Sequence, residues 1–338
     1  MEVKENYTLK NLNTFHLEVK AKLFTEASRN EDILAIIDDQ NLAGENKFVL
    51  GGGSNIVFTS DYDGLVIKNN FTGISLVGED STSFFVKSGA GIEWHVFVMY
   101  CIDHNYAGIE NLSLIPGSVG AGPIQNIGAY GVELKDVFHE LTAIDLKNGD
   151  VKVFNLADCQ FGYRNSIFKN TYRNRLIITS VTFRLLKEPG FNTSYGAIEQ
   201  ELQRMQVTKK TIRAISEAVC YIRRSKLPNP EVLGNCGSFF KNPEIENEKY
   251  LKLKNNFPGL VGYNLPDGRV KLAAGWLIEQ CGWKGKRVGN TGSHKDQALV
   301  LVNYGGATGL EIVNLSKEIQ ASVKEKFGVD IEAEVNIL

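Results

Sequence analysis

The chain has 338 residues, of which 43% are hydrophobic and 22% are charged, and its formal net charge is −2. This composition is ordinary for a globular protein of roughly two or three domains. The small net charge argues against a nucleic-acid-binding protein or one that binds anionic membrane surfaces. The amino terminus lacks the layout of a signal peptide, and no apolar run approaches the about 20 residues that a membrane span needs.

The cysteines and histidines show no spacing typical of a metal or disulfide site. The five cysteines are scattered and never form a CxxC pair, which is typical of proteins in the reducing cytoplasm. The five histidines never form an HxxxH pair, so we expect no metal ion.

Residues 20–58 predict a small βαβ unit, with strands at 20–27, 47–50 and 56–58. Ser28 and Glu31 have capping-box spacing ahead of the helix between the first two strands.

The second of these strands runs into a glycine loop, Gly51-Gly52-Gly53-Ser54-Asn55. The loop fails the dinucleotide fingerprint, because Ile56 occupies the third glycine position and a strand follows instead of a helix. Gly89-Ala90-Gly91, ahead of a helix predicted at 92–104, fails in the same way at Trp94. A strand–glycine loop–strand can still bind phosphate through its N–H groups.

Residues 113–131, SLIPGSVGAGPIQNIGAYG, hold five glycines and two prolines and almost no charge. Glycine lets the backbone approach a ligand closely. We interpret the stretch as backbone wrapped around a large bound molecule. The alternative is a buried glycine-rich turn with a packing role only.

The following residues predict strands and then helices. Asn148-Gly149 predicts a type I′ turn between strands at 141–146 and 151–156, and another strand is predicted at 175–186. The first about 190 residues are therefore α+β. A helix is predicted at 208–224, and its basic end suits either a capped helix end or an anion site at a domain boundary.

The last third predicts a second α/β region over 231–306. Thr308 and Glu311 have capping-box spacing ahead of a helix that we expect to end at Gly328. The alternating residues 329–335 predict a half-buried strand.

Three short stretches carry candidate chemistry. FGYRNSIFK (161–169) presents Arg164, which can hold a carboxylate or merely stack on a neighbouring ring. GNCGSFFKNP (234–243) presents Ser238, either as a proton donor or as an ordinary turn serine. Glu334 is either functional or one of three acids on a solvated strand face.

Taken in order, these stretches resemble the UDP-N-acetylenolpyruvoylglucosamine reductase family, type I, nearly end to end. The resemblance begins at NTFH (13–16) and includes LGGGSN, LIPGSVGAGPIQNIGAYG, FGYRNSIFK, GNCGSFFKNP, VKLAAGWLIEQ (270–280), QALVLVN (297–303) and EAEV. Each motif is modestly specific alone, whereas the ordered set is highly specific.

The resemblance implies an α+β fold, namely the FAD-binding fold of the vanillyl-alcohol oxidase type in two subdomains, plus a separate α/β substrate-binding domain. The implied domains are 1–69, 70–224 with 329–338, and 228–328. The implied FAD contacts are Gly51, Gly52, Gly53, Ser54, Asn55, Pro116, Gly117, Ser118, Val119, Gly120, Gly122, Gln125 and Asn126. The implied substrate contacts are Tyr163, Tyr195, Arg223, Lys226, Asn242 and Gln297, with Tyr195 on a loop that closes over the diphosphate.

The implied reaction belongs to peptidoglycan precursor synthesis in the cytoplasm, and we expect a monomer. NADPH reduces non-covalently bound FAD, and hydride then passes from the flavin N5 to the methylene carbon of UDP-N-acetylglucosamine enolpyruvate. Arg164 and a protonated Glu334 would stabilise the enolate-like charge, and Ser238 would protonate the neighbouring carbon. Cys236 is a more acidic neighbour to which the family motif assigns no chemistry.

One departure from the family pattern is Asn336, where relatives often carry a basic residue two positions after the terminal glutamate. Two other interpretations stay open, a flavin oxidase of the same fold and a nucleotide-binding module without catalysis. The oxidase gives Ser238 and Glu334 no task, and the intact trio of Arg164, Ser238 and Glu334 argues against the module.

Overall fold

The alternating and amphipathic patterns of the sequence form two units, which we describe from a computed structural model that covers residues 1–338. Unit 1 comprises Met1–Tyr7, Ala21–Gly53 and Tyr62–Ser225. Unit 2 comprises Thr8–Lys20, Ser54–Asp61 and Lys226–Leu338. None of the helices has both the length and the apolar character needed to cross a membrane.

The elements are numbered in chain order. The strands are β1 (Lys4–Thr8), β2 (Lys20–Ala27), β3 (Lys47–Leu50), β4 (Ile56–Val57), β5 (Tyr62–Asn69), β6 (Ile74–Glu79), β7 (Ser83–Gly89), β8 (Gly128–Ala129), β9 (Val132–Glu133), β10 (Phe138–Asp145), β11 (Val151–Asn155), β12 (Leu176–Leu186), β13 (Gly234–Ser238), β14 (Glu244–Ile245), β15 (Gly262–Asn264), β16 (Val270–Leu272), β17 (Arg287–Val288), β18 (Thr291–Ser293), β19 (Val300–Asn303) and β20 (Asn336–Ile337). The helices are α1 (Asn30–Asp38), α2 (Trp94–Asp103), α3 (Gly196–Arg204), α4 (Ile212–Lys226), α5 (Asn247–Asn256), α6 (Ala274–Gln280) and α7 (Gly309–Phe327).

Unit 1 contains two main sheets. The first has the order β1-β2-β5-β3, with β2, β5 and β3 parallel, and α1 buries Ile33 and Ile36 in the same apolar cluster as Leu65 and Ile67 of β5. The second is an antiparallel sheet of order β11-β10-β12-β7-β6. Trp94 of α2 packs edge-on against Phe183 of β12. Parallel pairing around a βαβ unit and antiparallel pairing elsewhere agree with the α+β prediction.

Unit 2 is built on an antiparallel sheet of order β13-β19-β18-β17, a three-stranded sheet of order β14-β16-β15, and the parallel pair β20-β4. Helix α7 buries the predicted face, including Ile312, Ile319 and Val323. Its predicted ends are confirmed, because Thr308 and Glu311 form the capping box and Gly328 is left-handed with φ 62°.

Two predicted helix details are wrong, and one helix was not predicted. The cap of α1 lies one residue later than the predicted Ser28–Glu31 pair, because the Asp32 carboxylate accepts the N–H groups of both Ser28 and Arg29 at 3.0 Å. Helix α4 starts after Thr211, whose hydroxyl accepts the N–H of Ala214, and it runs to Lys226 instead of occupying 208–224. Helix α3 has no counterpart in the prediction.

The predicted type I′ turn at Asn148-Gly149 does not form, since only Gly149 has a positive φ. Asp145 instead shapes the connection between β10 and β11, residues 146–150. Its carbonyl oxygen accepts the N–H of Gly149 at 2.8 Å, and its carboxylate accepts the N–H of Lys147 at 3.1 Å. A side chain that bonds the backbone two residues ahead offers the chain an alternative turn.

The predicted strand over 329–335 is also wrong as a paired strand. Val329, Ile331 and Val335 are buried as the alternation predicts, but only a single bridge, between Ala333 and Phe240, pairs this segment. The terminal strand is β20, which pairs with β4. By contact, residues 329–338 group with 226–328, while the implied FAD and substrate domains are functional divisions and stay predictions.

Candidate active site

The two glycine loops predicted to bind FAD meet backbone to backbone in unit 1. A Cβ atom built on Gly52 would lie 2.7 Å from the Cα atom of Gly117, and one on Gly51 would lie 2.6 Å from the Oγ atom of Ser118. Gly117 itself has φ 110°. The loops therefore touch only because Gly52 has no side chain.

The central loop is held in place by hydrogen bonds to the residues that follow β7. The N–H of Gly120 donates to the carbonyl of Ala90, and the N–H of Val119 donates to the carbonyl of Ile92, both at 2.8 Å. A Cβ atom on Gly120 would lie 2.5 Å from the Cβ atom of Ala90. The Gly89-Ala90-Gly91 stretch thus supports the central loop.

The two glycine loops carry backbone N–H groups that have no acceptor within the protein. The N–H groups of Gly52, Gly117 and Ser118 donate to no atom of the chain. Lys68 of β5 adds a positive charge, and its Nζ atom donates to the carbonyl oxygen of Gly51 at 2.5 Å. Burial lowers the pKa of Lys68, and the nearby charge of Glu26 opposes that effect. Unbonded N–H groups on two touching glycine loops, with an ammonium group bonded to one of the loops, suit an anionic group such as a pyrophosphate.

The other predicted loop residues are mostly part of the scaffold. Val119 is fully buried, and a Cβ atom on Gly122 would lie 2.7 Å from a methyl carbon of Leu134. Gln125 is half-buried, whereas Pro116 is exposed. Gly53 belongs to unit 1, whereas Ser54 and Asn55 belong to unit 2.

Asn126, a predicted FAD contact, is fully buried and uses its side chain inside the protein. Its amide donates to Glu133 at 2.9 Å and to the carbonyl of Gly162 at 3.1 Å, and its Oδ1 atom accepts the N–H of Lys135 at 3.0 Å. Asn126 therefore ties the central loop to the turn that carries Tyr163 and Arg164.

Tyr163 and Arg164 occupy the middle of a tight turn. Gly162 and Asn165 exchange two backbone hydrogen bonds, of 3.0 and 3.2 Å, and Arg164 has φ 52°. The Nη2 atom of Arg164 donates to the carbonyl of Gly128 at 2.8 Å. The turn therefore aims the guanidinium back at the end of the central loop, where a planar donor can serve a carboxylate.

Arg223 and Tyr195 lie around the same loop. The Nε atom of Arg223 donates to the carbonyl of Leu114 at 3.1 Å. Burial lowers the pKa of Arg223, and its neighbour Tyr130 opposes that effect. The ring of Tyr130 meets the ring of Tyr195 edge-on, with centroids 5.2 Å apart. Unit 1 thus brings Arg164, Arg223 and Tyr195 to residues 114–130.

In unit 2, Ser238 and Glu334 lie on adjacent backbone. Ser238 is the exposed last residue of β13, and the N–H of Glu334 donates to the carbonyl of Phe239 at 2.8 Å. Glu334 is half-buried, whereas Asp330 and Glu332 on the same segment are exposed. Glu334 therefore differs from a solvated surface acid.

Cys236 is buried two residues before Ser238. Burial and the charge of Glu334 raise the pKa of its thiol. The expectation that Cys236 is the more acidic neighbour is therefore wrong in this environment, because desolvation disfavours the thiolate.

Asn242 and Gln297 converge on the start of α6. The N–H of Ala274 donates to Oδ1 of Asn242 at 3.0 Å, and a Cβ atom on Gly275 would lie 3.1 Å from Oε1 of Gln297. Lys226, the last residue of α4, is exposed. Asn336 donates from its side chain to the carbonyl of Asn55 at 3.1 Å, so it supports the end of the first glycine loop.

Sequence reasoning missed Lys68, Tyr130 and Asn111, which lie beside these predicted residues. Tyr130 lies in the glycine-rich stretch 113–131, where a polar aromatic side chain among glycines is a signal that could have identified it as a site residue. Lys68 and Asn111 bond partners 17 to 81 residues away, so no local pattern indicates them.

Comparisons with known proteins agree with this architecture. Residues 21–155 match the family model described as FAD binding domain, and residues 229–338 match the one described as UDP-N-acetylenolpyruvoylglucosamine reductase, C-terminal domain. The UDP-N-acetylenolpyruvoylglucosamine reductase of Flavobacterium johnsoniae is 50% identical over 100% of both chains. This chain belongs to that family. The enzyme of the same name from Amoebophilus asiaticus is 49% identical, again over 100% of both chains.

Solved structures share the fold of this chain. The crystal structure of UDP-N-acetylenolpyruvylglucosamine reductase from Thermus caldophilus aligns with a TM-score of 0.67 at 22% identity, covering 99% of this chain and 98% of that one. 6-Hydroxy-D-nicotine oxidase from Arthrobacter nicotinovorans aligns with a TM-score of 0.50 at 12% identity, covering 97% and 86%. The predicted fold class, an FAD-binding fold of the vanillyl-alcohol oxidase type, is thereby confirmed.

Proposed function

We propose that the chain is an FAD enzyme that uses NADPH to reduce UDP-N-acetylglucosamine enolpyruvate to UDP-N-acetylmuramate, a cytoplasmic step of peptidoglycan precursor synthesis. The observation that carries the proposal is the adjacency of Ser238 and Glu334 on paired backbone, in a chain that is 50% identical over its full length to a reductase of that name. A nucleotide-binding module without catalysis has no use for this pair.

FAD fits the residues of unit 1. Its pyrophosphate would be held by the free N–H groups of Gly52, Gly117 and Ser118. Lys68, which bonds the carbonyl of Gly51, would add a positive charge. When bound, FAD would supply hydride-transfer chemistry between NADPH and the methylene carbon of the substrate. The chain has to bind the substrate, hold the developing negative charge and move one proton.

Addition of hydride to the methylene carbon places negative charge on the adjacent carbon and its carboxylate. Arg164, oriented by its bond to Gly128, and Glu334 in its protonated form would donate hydrogen bonds to that charge. Ser238 would then give its hydroxyl proton to the same carbon, which completes the saturated ether. Because Ser238 and Glu334 share one backbone pairing, a shift of either segment would disturb both donors.

The substrate contacts are proposed from the same placement. Arg223, Tyr195 and Lys226 each carry a donor suited to the diphosphate, and Tyr163 stands beside Arg164. Asn242 and Gln297, together at the start of α6, suit the polar groups of the sugar or uracil. We propose that the enzyme acts as a monomer.

The test is an anaerobic visible spectrum of the purified holoenzyme, titrated with NADPH and then with UDP-N-acetylglucosamine enolpyruvate. We expect a flavin band at about 450 nm that bleaches with NADPH and returns with substrate. A band that bleaches but returns only on admission of air would indicate an oxidase. A protein that stays colourless after added FAD would overturn the proposal.

A further inference from the structure

Asn111 joins two distant segments of unit 1 through a single buried amide. It lies in the short 3₁₀ turn Glu110–Leu112 and is 2% exposed. Its Nδ2 atom donates one hydrogen to the carbonyl of Tyr130 at 3.0 Å and the other to the carbonyl of Asn192 at 2.9 Å. Both amide hydrogens of the side chain are therefore spent on backbone carbonyls.

The two segments are also joined to each other. The Nδ2 atom of Asn192 donates to the carbonyl of Gly131 at 3.0 Å, and a Cβ atom on Gly131 would lie 3.1 Å from it. The hydroxyl of Ser194 donates to Oδ1 of Asn192 at 2.7 Å. Asn192 thus anchors the amino-terminal end of the segment 192–195, and Tyr195 is the last residue of that segment.

The outer end of this segment is more open than its amino-terminal end. Tyr195 is 46% exposed, and its ring contacts the protein edge-on at Tyr130. The carbonyl of Tyr195 also accepts the N–H of Ile198 in the first turn of α3 at 2.8 Å. Tyr195 is therefore held between α3 on one side and residue 192, bound against residues 130 and 131, on the other. Asn111 bridges the two segments with one hydrogen bond to each, Asn192 adds its own bond to Gly131, and Lys210 donates to the hydroxyl of Thr193 at 3.1 Å.

We propose that Asn111 is a positioning residue, which fixes the segment 192–195 against Tyr130 and Gly131 so that Tyr195 stands ready to contact the substrate. The inference rests on the proposed function in one respect, the contact between Tyr195 and the substrate diphosphate. The hydrogen-bonded arrangement of Asn111 with residues 130, 131 and 192, which we call the clamp, requires only contacts within unit 1.

Replacing the amide by a carboxylate tests the clamp sharply. Asn111→Asp keeps the shape of the side chain but turns a donor of two hydrogens into an acceptor that faces two carbonyl oxygens. Loss of two buried hydrogen bonds and the new repulsion should release the amino-terminal end of the segment. Ser113→Ala is the matched control, because Ser113 is fully buried two residues away and bonds Glu110 and Ser216 instead.

The first measurement is the rate of chymotrypsin cleavage after Tyr195 in the holoenzyme, mapped by mass spectrometry. We expect cleavage to be about ten-fold faster in Asn111→Asp and unchanged in Ser113→Ala, as the loss of one to two net hydrogen bonds implies. If Asn111→Asp does not fold, Asn192→Ala removes the bond to Gly131 from the half-buried side and should accelerate cleavage about three-fold.

The second measurement is steady-state and half-reaction kinetics. We expect Asn111→Asp to raise the KM for the UDP substrate about ten-fold, with kcat and the rate of flavin reduction by NADPH within two-fold of the parent. A purely structural role would lower stability without this separation of KM from kcat. Unchanged cleavage together with unchanged KM would overturn the inference.

Tyr195→Ala, measured in parallel, distinguishes a failure of the proposed substrate contact from a failure of the clamp. If it leaves KM unchanged, the proposed substrate contact of Tyr195 is wrong, and faster cleavage in Asn111→Asp still supports the clamp. If it raises KM while Asn111→Asp leaves KM and cleavage unchanged, the clamp is wrong and the substrate contact stands.

Discussion

The backbone N–H of Glu334 donates to the carbonyl oxygen of Phe239 at 2.8 Å, and this bond registers the carboxyl-terminal segment against the end of β13. Ser238 precedes Phe239, so the candidate proton donor and the candidate charge-stabilising acid share one pairing. The pairing therefore fixes the two backbone segments that carry these side chains relative to each other.

Ser238→Ala should separate the two half-reactions. We expect flavin bleaching by NADPH to be retained and reoxidation by the UDP substrate to fall by at least about 100-fold, because the hydroxyl serves only the second half-reaction. Anaerobic stopped-flow absorbance measures both steps. Cys236→Ala is the control and should reoxidise normally, since burial and Glu334 raise the pKa of that thiol. Loss of bleaching in Ser238→Ala would show that the role is wrong.

Glu334→Gln should retain more activity than Glu334→Ala, because a glutamine side chain still donates a hydrogen bond. We expect a loss of less than about 10-fold in kcat for the glutamine variant and about 100- to 1,000-fold for the alanine variant. Glu332→Gln, on the exposed side of the same segment, should leave kcat unchanged. Equal losses in the two Glu334 variants would contradict a role as hydrogen-bond donor.

Gly52→Ala should abolish tight FAD binding. The new Cβ atom would lie 2.7 Å from the Cα atom of Gly117, so the two loops must separate by a few tenths of an ångström or more. We expect the dissociation constant for FAD, measured by quenching of flavin fluorescence, to rise at least about 10-fold. Gly44→Ala is the control, because nothing lies within 4 Å of its Cβ position. A yellow Gly52→Ala protein with normal affinity would exclude the loop contact as part of the FAD site.

Asp145→Asn should destabilise unit 1 in a pH-dependent manner. Asp145 is fully buried and accepts hydrogen bonds from Arg175 at 2.7 and 3.0 Å, which hold its pKa below the ordinary value. Loss of a charge-assisted pair at a half-exposed arginine should cost about 2 kcal/mol of unfolding free energy at pH 7.

A carboxyl group whose pKa is lowered by folding stabilises the protein above its unfolded pKa of about 4, and it loses that effect as the pH falls through the folded value. The difference between Asp145→Asn and the parent, measured by urea unfolding, should therefore narrow below about pH 4. Asp63→Asn, with a side chain 92% exposed, should leave the free energy of unfolding unchanged at pH 7 and at pH 3. A difference that stays constant from pH 7 to pH 3 would contradict the ion pair.

The sequence predicted the elements whose signals are local. The capping box of α7 and its left-handed end need only residues near Thr308 and Gly328, and both were found. The Asn148-Gly149 turn and the 329–335 strand were wrong, because their geometry depends on the Asp145 carboxylate and on which backbone lies beside the segment. Helix α3 was missed because Ile198 and Leu202 gain their burial from α4.

The candidate site divides in the same way. Glycine density marked both FAD loops without revealing that Gly52 touches Gly117, since that contact joins residues 65 positions apart. The roles of Arg164, Ser238 and Glu334 came from the resemblance of ordered motifs to a family. Lys68 and Asn111 are common residue types in ordinary strands and turns, and only their long-range bonds distinguish them.

The contact between Gly52 and Gly117 has a genetic consequence. Every amino acid reachable from a glycine codon by one base change carries a Cβ atom, and at Gly52 any such atom would meet the opposing backbone. In a saturation mutagenesis screen for growth, we expect codon 52 to tolerate only synonymous changes. Such intolerance is usually attributed to a side chain that touches a ligand, and here it would arise at a residue that has no side chain.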